Sequence, residues 1–357
     1  MEAYHQEAVR VLIEAFEDRL RRRLLVREGG PVTEGPLSFV LPTSVEEVEL
    51  LSEVAARYSV PLVAQGAMTA YEPGSVTGGI LVRFDLMRRT RLPADLEESW
   101  AEAEPGTLWL ELDNALHARG RGLAVYPTSA PRTTIGGWLA VDGLGVGSFE
   151  YGWLRENVLS ADVVLTGGAR REVRGEELRS FLRPGRAAGI VVGARLRTRP
   201  ADTDVPFGAT FGNAEDLTSA VAGVAEAGTP LWHLAFLNPR MAHARTLGEE
   251  HLLFGVYPRE RAAEVEERLL DILESCRGRP LGTAEAYRVW GQRFFPVVPT
   301  QPTPNAVREL VSVGTLPEVL GGAGVHPEGI ALQGTVARTG EVLLLSFDTH
   351  EEGWADA

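Results

Sequence analysis

The sequence contains no lysine and a single cysteine, and these two absences exclude several kinds of chemistry. Without lysine there is neither a Schiff-base amine nor the phosphate-binding lysine of a P-loop. One thiol, Cys276, excludes disulfides within the chain, multi-cysteine zinc sites and iron–sulfur clusters held by this chain alone. Cys276 ends an apolar-periodic segment, which predicts a small buried residue at the end of a helix.

Long apolar runs and an excess of basic residues are also missing. No run approaches the ~20 apolar residues that a membrane-spanning helix needs. The first residues lack the basic and apolar regions of a secretory signal, so we expect a cytoplasmic location and no transmembrane segment. The net charge of −14 disfavours nonspecific binding to nucleic acid.

The 357 residues have an ordinary composition for a globular protein and are enough for two domains. Strand and helix patterns alternate, which predicts an α+β fold, and the pattern changes near Pro200. We predict an N-terminal helical segment over 1–35, with its helix at 3–25, a first domain over 36–200 and a second over 201–357. The order of elements after Pro200, β-α-β-β-α, is that of a ferredoxin-like unit.

Glycine-rich segments mark the first predicted domain. Glycine lets the backbone come close to a flat or phosphorylated ligand, because no Cβ stands in the way. Four such segments occur, at 65–70, 127–137, 143–152 and 189–193, and the second ends in Thr134-Ile135-Gly136-Gly137. Backbone N–H groups in the first could form an anion site, although an ordinary strand-to-helix loop explains that segment equally well.

These segments, in this order, resemble the FAD-binding domain of the vanillyl-alcohol oxidase/p-cresol methylhydroxylase superfamily of FAD-linked oxidoreductases. The similarity begins with the Pro-x-Ser-x-Glu-Glu-Val run at 42–48 and continues at 104–112. Its most specific parts are Thr-Ile-Gly-Gly at 134–137 and Tyr-Gly at 151–152. The resemblance covers roughly 36–200 and implies a two-subdomain FAD-binding domain of the p-cresol methylhydroxylase type, followed by a ferredoxin-like substrate or cap domain.

The resemblance also implies which residues hold FAD. It assigns 65–70 to the diphosphate, and 127–137 with 143–152 to the diphosphate and the isoalloxazine ring. Main-chain groups at 189–191 would contact the cofactor as well. The implied FAD-binding residues are Gln65, Gly66, Ala67, Met68, Thr69, Ala70, Pro127, Ser129, Thr133, Thr134, Ile135, Gly136, Gly137, Gly145, Ser148, Tyr151, Gly152, Gly189, Ile190 and Val191.

The sequence departs from the family pattern at two of these places. The family's diphosphate loop is commonly Gly-Gly followed by Thr, Ser or His, whereas here Ala67 and Met68 follow Gly66. Members with covalent flavin often carry histidine in this loop, and its absence predicts a non-covalent FAD. Asp142 stands where the family often has asparagine, and a carboxylate near a diphosphate would be repelled unless it is turned away.

Within the superfamily, the chain most resembles the 2-hydroxy-acid branch and its short glycolate oxidase-type FAD subunits. Residues 286–293 are similar to that branch's Trp-x-x-Arg region. The branch implies an oxidoreductase acting on CH–OH donors such as glycolate or D-lactate, with hydride passing to flavin N5. An arginine would hold the substrate carboxylate, and Arg288 and Arg293 are the candidates, with surface ion pairs as their alternative role.

The catalytic base stays unassigned. Larger relatives carry His-x-Gly-Asp-Gly-Asn-x-His on a late strand, but the corresponding residues 332–338 contain no histidine. No His/Cys/Asp cluster has metal-ligand spacing, so no metal is predicted. The remaining histidine candidates, each also explained as a surface or hydrogen-bonded residue, are His233, His243, His251 and His326.

Three functions therefore stay open from the sequence. The first is an autonomous flavin dehydrogenase acting on a small hydroxy acid. The second is an FAD-bearing subunit that works beside an iron–sulfur electron-transfer subunit, an interpretation that the missing histidines favour. The third is a cofactor-free protein that only binds partners.

Overall fold

The computed structural model describes residues 4, 6–8, 10–12, 14, 24–26, 38–67, 79–95, 97–182, 189–201, 203–294, 306–321 and 329–348. In chain order the strands and helices are β1 (Leu24–Val26), β2 (Ser38–Val40), α1 (Val45–Arg57), β3 (Leu62–Gln65), β4 (Ile80–Arg83), β5 (Thr90–Arg91), β6 (Trp100–Ala103), α2 (Trp109–His117), β7 (Arg121–Leu123), α3 (Ile135–Val141), α4 (Ser148–Tyr151), β8 (Val158–Leu165), β9 (Arg170–Arg174), α5 (Gly175–Phe181), β10 (Gly189–Pro200), β11 (Asp204–Phe211), α6 (Ala214–Glu226), β12 (His233–Leu237), α7 (Pro239–Ala244), β13 (His251–Pro258), α8 (Ala262–Ser275), β14 (Arg279–Pro280), α9 (Thr283–Gly291), β15 (Ala306–Ser312), α10 (Leu316–Gly321), β16 (Ile330–Val336) and β17 (Glu341–Asp348).

The chain packs as two compact units that are discontinuous in sequence. The first unit comprises 1–119, 130–142 and 158–198, and the second comprises 120–129, 143–157 and 199–357. Two short segments from the predicted first domain therefore pack with the C-terminal part of the chain. The domain assignment 1–35, 36–200 and 201–357 stays a prediction.

The first unit contains two sheets. In one, the strand order is β1-β2-β4-β3, with β2, β4 and β3 parallel and β1 antiparallel. In the other, five strands follow the order β5-β6-β10-β8-β9, and each neighbouring pair in that order is antiparallel. A buried apolar cluster joins α1 residues Val48 and Leu51 to strand residues Ile80, Val82 and Val164.

The start of α1 lies in the Pro-x-Ser-x-Glu-Glu-Val run of residues 42–48, in which Ser44 and Glu47 have the spacing of a capping box. Ser44 has an extended conformation, and its hydroxyl accepts a hydrogen bond from the Glu47 N–H at 3.4 Å. The Glu47 carboxylate accepts from the backbone N–H of Thr43 at 2.7 Å, one residue before the cap. The reciprocal pair satisfies N–H groups that a helix start would otherwise leave unbonded.

One sequence prediction of local structure, the N-terminal helix, is wrong at its C-terminal end. The helix predicted over 3–25 holds for the described residues up to 14, but Leu24–Val26 is a strand paired with β2. A paired backbone ladder overrides the arginine-rich helical pattern there. Strand β7 covers Arg121–Leu123, and Tyr126 forms an isolated bridge with Val146.

The second unit is built on a seven-stranded antiparallel sheet with the order β14-β11-β13-β12-β16-β17-β15. The strands β11 to β14 and the helices α6 and α8 give a ferredoxin-like unit in the spatial order 4-1-3-2, which confirms the predicted motif. The hairpin β16–β17 and the edge strand β15 extend that sheet. A buried apolar cluster packs α6 and α8 against the sheet, and its members include Val221, Leu269, Phe236 and Leu344.

Within the described residues, no helix is both long and apolar enough to cross a membrane.

Candidate functional site

In the first unit, the Thr-Ile-Gly-Gly motif begins α3. Thr134 caps the helix, and its hydroxyl accepts the Gly137 N–H at 3.2 Å. The Ile135 N–H donates to the Thr107 carbonyl at 2.8 Å, and the Gly136 N–H donates to the Pro105 carbonyl at 2.9 Å. The motif is therefore bonded directly to the turn that precedes α2.

The glycines of this motif are required by close backbone contacts. A Cβ on Gly137 would lie 2.9 Å from Thr134 Oγ1, and one on Gly136 would lie 2.8 Å from Pro105 Cβ. A Cβ on Gly66, just after β3, would lie 2.8 Å from Thr134 Oγ1 and 2.9 Å from Gly137 Cα. The loop after β3 thus crosses the start of α3 backbone against backbone, and the structure brings these predicted residues together.

Two buried side-chain donors on residues close to the Thr-Ile-Gly-Gly motif, in sequence or through a backbone hydrogen bond, have no hydrogen-bond partner among the described residues. They are Nη1 of Arg132, which precedes Thr133, and Oγ1 of Thr107, whose carbonyl holds Ile135. A buried polar atom without a partner costs about 1–3 kcal/mol unless a ligand or water satisfies it. Sequence reasoning passed over both residues, although a cation next to a proposed diphosphate loop was a readable signal.

The predicted main-chain contact residues 189–191 lie at the start of β10. A Cβ on Gly189 would lie 2.5 Å from the Val164 carbonyl, and Ile190 pairs with Val164 inside the apolar cluster. A register shift follows between Val191 and Gly193. Because the Ile190 side chain is buried, any ligand contact here would come from the backbone.

The second unit contains the glycine loop, which we define as residues 143–152. Gly143, Gly147 and Gly152 have φ angles of 148°, 91° and 72°, which residues with side chains rarely adopt. The Gly145 N–H donates to Ser148 Oγ at 2.8 Å and so fixes the turn into α4. Tyr151 ends that helix.

Residues 120–129 run beside the glycine loop in the same unit. Tyr126 and Val146 exchange two backbone hydrogen bonds, of 3.1 Å and 2.8 Å. The predicted residues Pro127 and Ser129 follow, the first buried and the second half-buried. The second unit therefore brings 127 and 129 into the same part of the fold as the glycine loop.

The two arginine candidates occupy different environments. The Arg293 Nε donates to the Tyr126 hydroxyl at 3.0 Å, and its guanidinium carbon lies 4.4 Å from the Trp290 ring centre. Arg288 is 48% exposed and donates to the Thr246 carbonyl at 2.7 Å. The geometry favours Arg293 as the substrate-binding candidate and gives Arg288 a surface role.

A second buried arginine was missed by sequence reasoning. Arg245 is 4% exposed and donates to the Gln292 carbonyl at 3.0 Å and to Gln333 Oε1 at 2.5 Å. Gln333 is 1% exposed, and its Nε2 has no hydrogen-bond partner among the described residues. Arg245 is one of 35 basic residues, all arginine, so its burial could not be read from the sequence.

The histidine candidates also differ in their burial and in their neighbours. His233 is 1% exposed, and its Nδ1 accepts the Gly147 N–H at 3.3 Å. Burial, and to a smaller extent the nearby Arg293 charge, lowers the pKa of His233 to about 3, so its ring is neutral. His243 is exposed beside Glu249, and burial lowers the pKa of His251. The remaining predicted residues, Met68, Thr69, Ala70 and His326, lie outside the described residues.

Across the part of the chain that the structure describes, no group of three or more His, Cys, Asp or Glu side chains is arranged to hold a metal ion.

Comparisons with known proteins bear on this arrangement. Residues 36–174 match the family model of an FAD binding domain. The mitochondrial D-lactate dehydrogenase (cytochrome) of Arabidopsis thaliana is 34% identical over 135 residues, which cover 37% of this chain and 23% of that protein. The glycolate oxidase subunit GlcD of Bacillus subtilis is 28% identical over 176 residues, covering 46% of this chain and 37% of the subunit.

A solved structure extends the likeness to nearly the whole chain. A crystal structure of p-cresol methylhydroxylase with substrate bound superposes with a TM-score of 0.75 at 13% identity, covering 98% of this chain and 84% of that chain. The fold is therefore that of the p-cresol methylhydroxylase-type flavoenzymes. The match of residues 36–174 to an FAD binding domain indicates FAD as the cofactor. The matches span less than half the length of these two curated relatives.

Proposed function

We propose that this protein is an FAD-dependent oxidoreductase that oxidises a small 2-hydroxy acid of the glycolate or D-lactate type at its CH–OH carbon. The match of residues 36–174 to an FAD binding domain carries this proposal. Curated relatives named as D-lactate dehydrogenase and as a glycolate oxidase subunit support the substrate class. A cytoplasmic location and a dissociable FAD are parts of the same proposal.

The donor set of the first unit fits an anionic cofactor. Arg132 Nη1 and Thr107 Oγ1 are buried donors without a protein partner among the described residues. Arg132 lies two residues before Thr134, and the Thr107 carbonyl accepts the Ile135 N–H at the start of α3. A diphosphate oxygen would satisfy a guanidinium or hydroxyl donor. We assign the diphosphate to this region, with Arg132 compensating for the altered loop that begins Gly66-Ala67. The family resemblance assigns main-chain groups of the glycine loop to the isoalloxazine ring, and we keep that assignment in this proposal.

The reaction removes a hydride from the substrate carbon and a proton from its hydroxyl, leaving a 2-keto acid. When bound, FAD supplies the two-electron acceptor, at N5. The chain's own residues bind and orient the substrate. Arg293, held by Tyr126 and stacked on Trp290, would grip the carboxylate, and the buried Arg245 is a second candidate for the same role.

The test is anaerobic mixing of the FAD-loaded protein with glycolate or D-lactate. An autonomous enzyme bleaches the flavin absorbance, and Arg293→Ala should slow bleaching at least about a hundredfold, since a lost charged hydrogen bond to substrate is worth roughly 3 kcal/mol. Arg288→Ala is the matched control, because that guanidinium is half exposed and bonded to Thr246. Normal flavin content with no bleaching by either acid would contradict the autonomous reaction.

A second function is favoured by the state of the histidines. The Nδ1 of His233 is already engaged by Gly147, and His243 is exposed beside Glu249, so neither is poised as a base. The alternative is an FAD-bearing subunit of a glycolate oxidase-like assembly, working with an iron–sulfur subunit. In that case the flavin is present but bleaches only after the partner is added. A colourless protein that takes up no FAD would leave the third possibility, a cofactor-free binding protein.

A further inference from the structure

The residue pair Trp232–His233 contacts three separate points of the second unit. The Trp232 Nε1 donates to the Ala124 carbonyl at 3.0 Å, and the Trp232 carbonyl accepts the Glu150 N–H at 3.2 Å. His233 Nδ1 accepts the Gly147 N–H at 3.3 Å. The pair is thus bonded both to the 120–129 segment and to two positions of the glycine loop.

The backbone around Gly147, whose N–H donates to His233, is closely packed. Gly147 has a φ of 91°, and a Cβ there would lie 2.0 Å from the Ala124 carbonyl and 2.5 Å from Trp232 Nε1. With Gly147 enclosed on these sides, its N–H has to find its acceptor within the protein. The buried His233 ring packs against two aromatic rings, with its centre 6.0 Å from that of Phe254 and 5.8 Å from that of Trp290, and this packing restricts its rotation.

The hydrogen bond from the Gly147 N–H determines which nitrogen of the His233 ring carries the proton. A backbone N–H can only donate, so Nδ1 must carry no proton, and a neutral ring then has its proton on Nε2. Asp204 and Arg199 brace the neighbouring Trp232, with the Arg199 guanidinium 3.4 Å above its ring.

We propose that His233 is the positioning residue of the glycine loop, with its Nδ1 as the fixed acceptor that sets the Gly147 backbone against the flavin. The proposal rests on the proposed function, since it assigns the loop to the isoalloxazine ring. His233 itself need not touch the cofactor or the substrate. It acts through Gly147, and so its replacement should change the loop before it changes the rest of the unit.

The test compares two variants with and without FAD. His233→Phe keeps a ring and removes the acceptor, whereas His233→Asn keeps an acceptor at the position of Nδ1. In the FAD-free protein, hydrogen exchange of the peptide spanning 143–152 should be roughly five- to a hundredfold faster in His233→Phe, the range expected for an orphaned buried donor. His233→Asn should stay within about threefold of wild type, because the donor keeps its partner.

FAD titration supplies the second readout. His233→Phe should weaken FAD binding at least about fivefold and shift the flavin absorption band, and His233→Asn should restore both. Thr229→Val, an isosteric change at a fully buried hydroxyl just before β12, is the control and should match wild type. Wild-type exchange of the loop in His233→Phe, or failure of His233→Asn to rescue it, would overturn the proposal. A wild-type protein that binds no FAD would overturn the proposed function instead, while the exchange result still decides the role of Nδ1.

Discussion

In the Thr-Ile-Gly-Gly motif of the first unit, Gly136 and Gly137 lie within helix α3, whereas Gly147 in the second unit has a φ of 91°. A Cβ on Gly136 would lie under 3 Å from the Pro105 ring, and a Cβ on Gly137 would lie under 3 Å from the Thr134 hydroxyl, so both positions require glycine. Gly147 is glycine for that kind of crowding and for its left-handed conformation as well. Glycine is therefore needed at positions 136 and 137 for close packing alone, and at position 147 both for close packing and for a left-handed turn.

The largest expected effect comes from Gly147→Ala. A methyl group there meets the Ala124 carbonyl and the Trp232 indole, both of which are fixed, and the φ angle adds strain. Overpacking and left-handed strain together should cost about 3–5 kcal/mol. Urea unfolding of the variant measures the loss, and a cost below about 1 kcal/mol would show that the loop can relax.

Gly137→Ala should cost less, about 1–3 kcal/mol, because the conformation is helical and the added methyl group is crowded only by Thr134 Oγ1 and Gly66 Cα. The matched control is Gly212→Ala, where a Cβ would meet nothing within 4 Å. The two variants should differ in the same unfolding measurement. Equal free energies of unfolding for the two variants would mean that the contact of Gly137 with Thr134 and Gly66 can accommodate a methyl group.

The pH dependence sharpens the contrast in the second unit. Burial lowers the pKa of His233 to about 3, against an ordinary value of 6.5, so between these values the unfolded chain binds one more proton. Stability from this group is complete above pH 6.5 and falls as the pH drops, by about 2 kcal/mol between pH 7 and pH 5. Asparagine does not titrate in this range, so His233→Asn should lose about 2 kcal/mol less stability than wild type between pH 7 and pH 5. Parallel pH profiles would show that His233 titrates normally.

The smallest effect is a coupling within the first unit. Thr134→Ala removes the cap of α3 and should cost about 1 kcal/mol. It also removes the oxygen that a Cβ on Gly137 would meet at 2.9 Å. The double variant Thr134→Ala/Gly137→Ala should therefore be about 0.5–1 kcal/mol more stable than the sum of the single changes predicts. If the two changes are strictly additive, the methyl group at position 137 is crowded by Gly66 or another neighbour and not by Thr134.

Much of the fold could be read from the sequence, because its signals are local. The capping pattern at Ser44 and Glu47 and the helix–strand order after Pro200 depend on neighbouring residues. The strand Leu24–Val26 could not be read, since its partner β2 is separated from it by an intervening stretch of chain. Sequence patterns do not specify which distant backbone completes a ladder.

The candidate site was readable only in part, for the same reason. Gly66, Thr134 and Gly137 were singled out as residues of one site, and their contact bears on that prediction without testing FAD binding. The acceptor role of His233 was invisible, because Gly147 lies 86 residues away in sequence. Likewise, nothing in the sequence distinguishes the buried Arg245 from the exposed Arg288.

FAD binding by this chain is measured by titrating the purified, FAD-free protein with FAD and following flavin absorbance and fluorescence. We predict saturation at one FAD per chain with a Kd below about 10 μM, or about −7 kcal/mol of binding free energy. Arg132→Ala should weaken that binding roughly tenfold, as expected for a lost charged hydrogen bond. A folded protein that takes up no FAD at about 1 mM, a concentration that would reveal even −4 kcal/mol, would contradict the account.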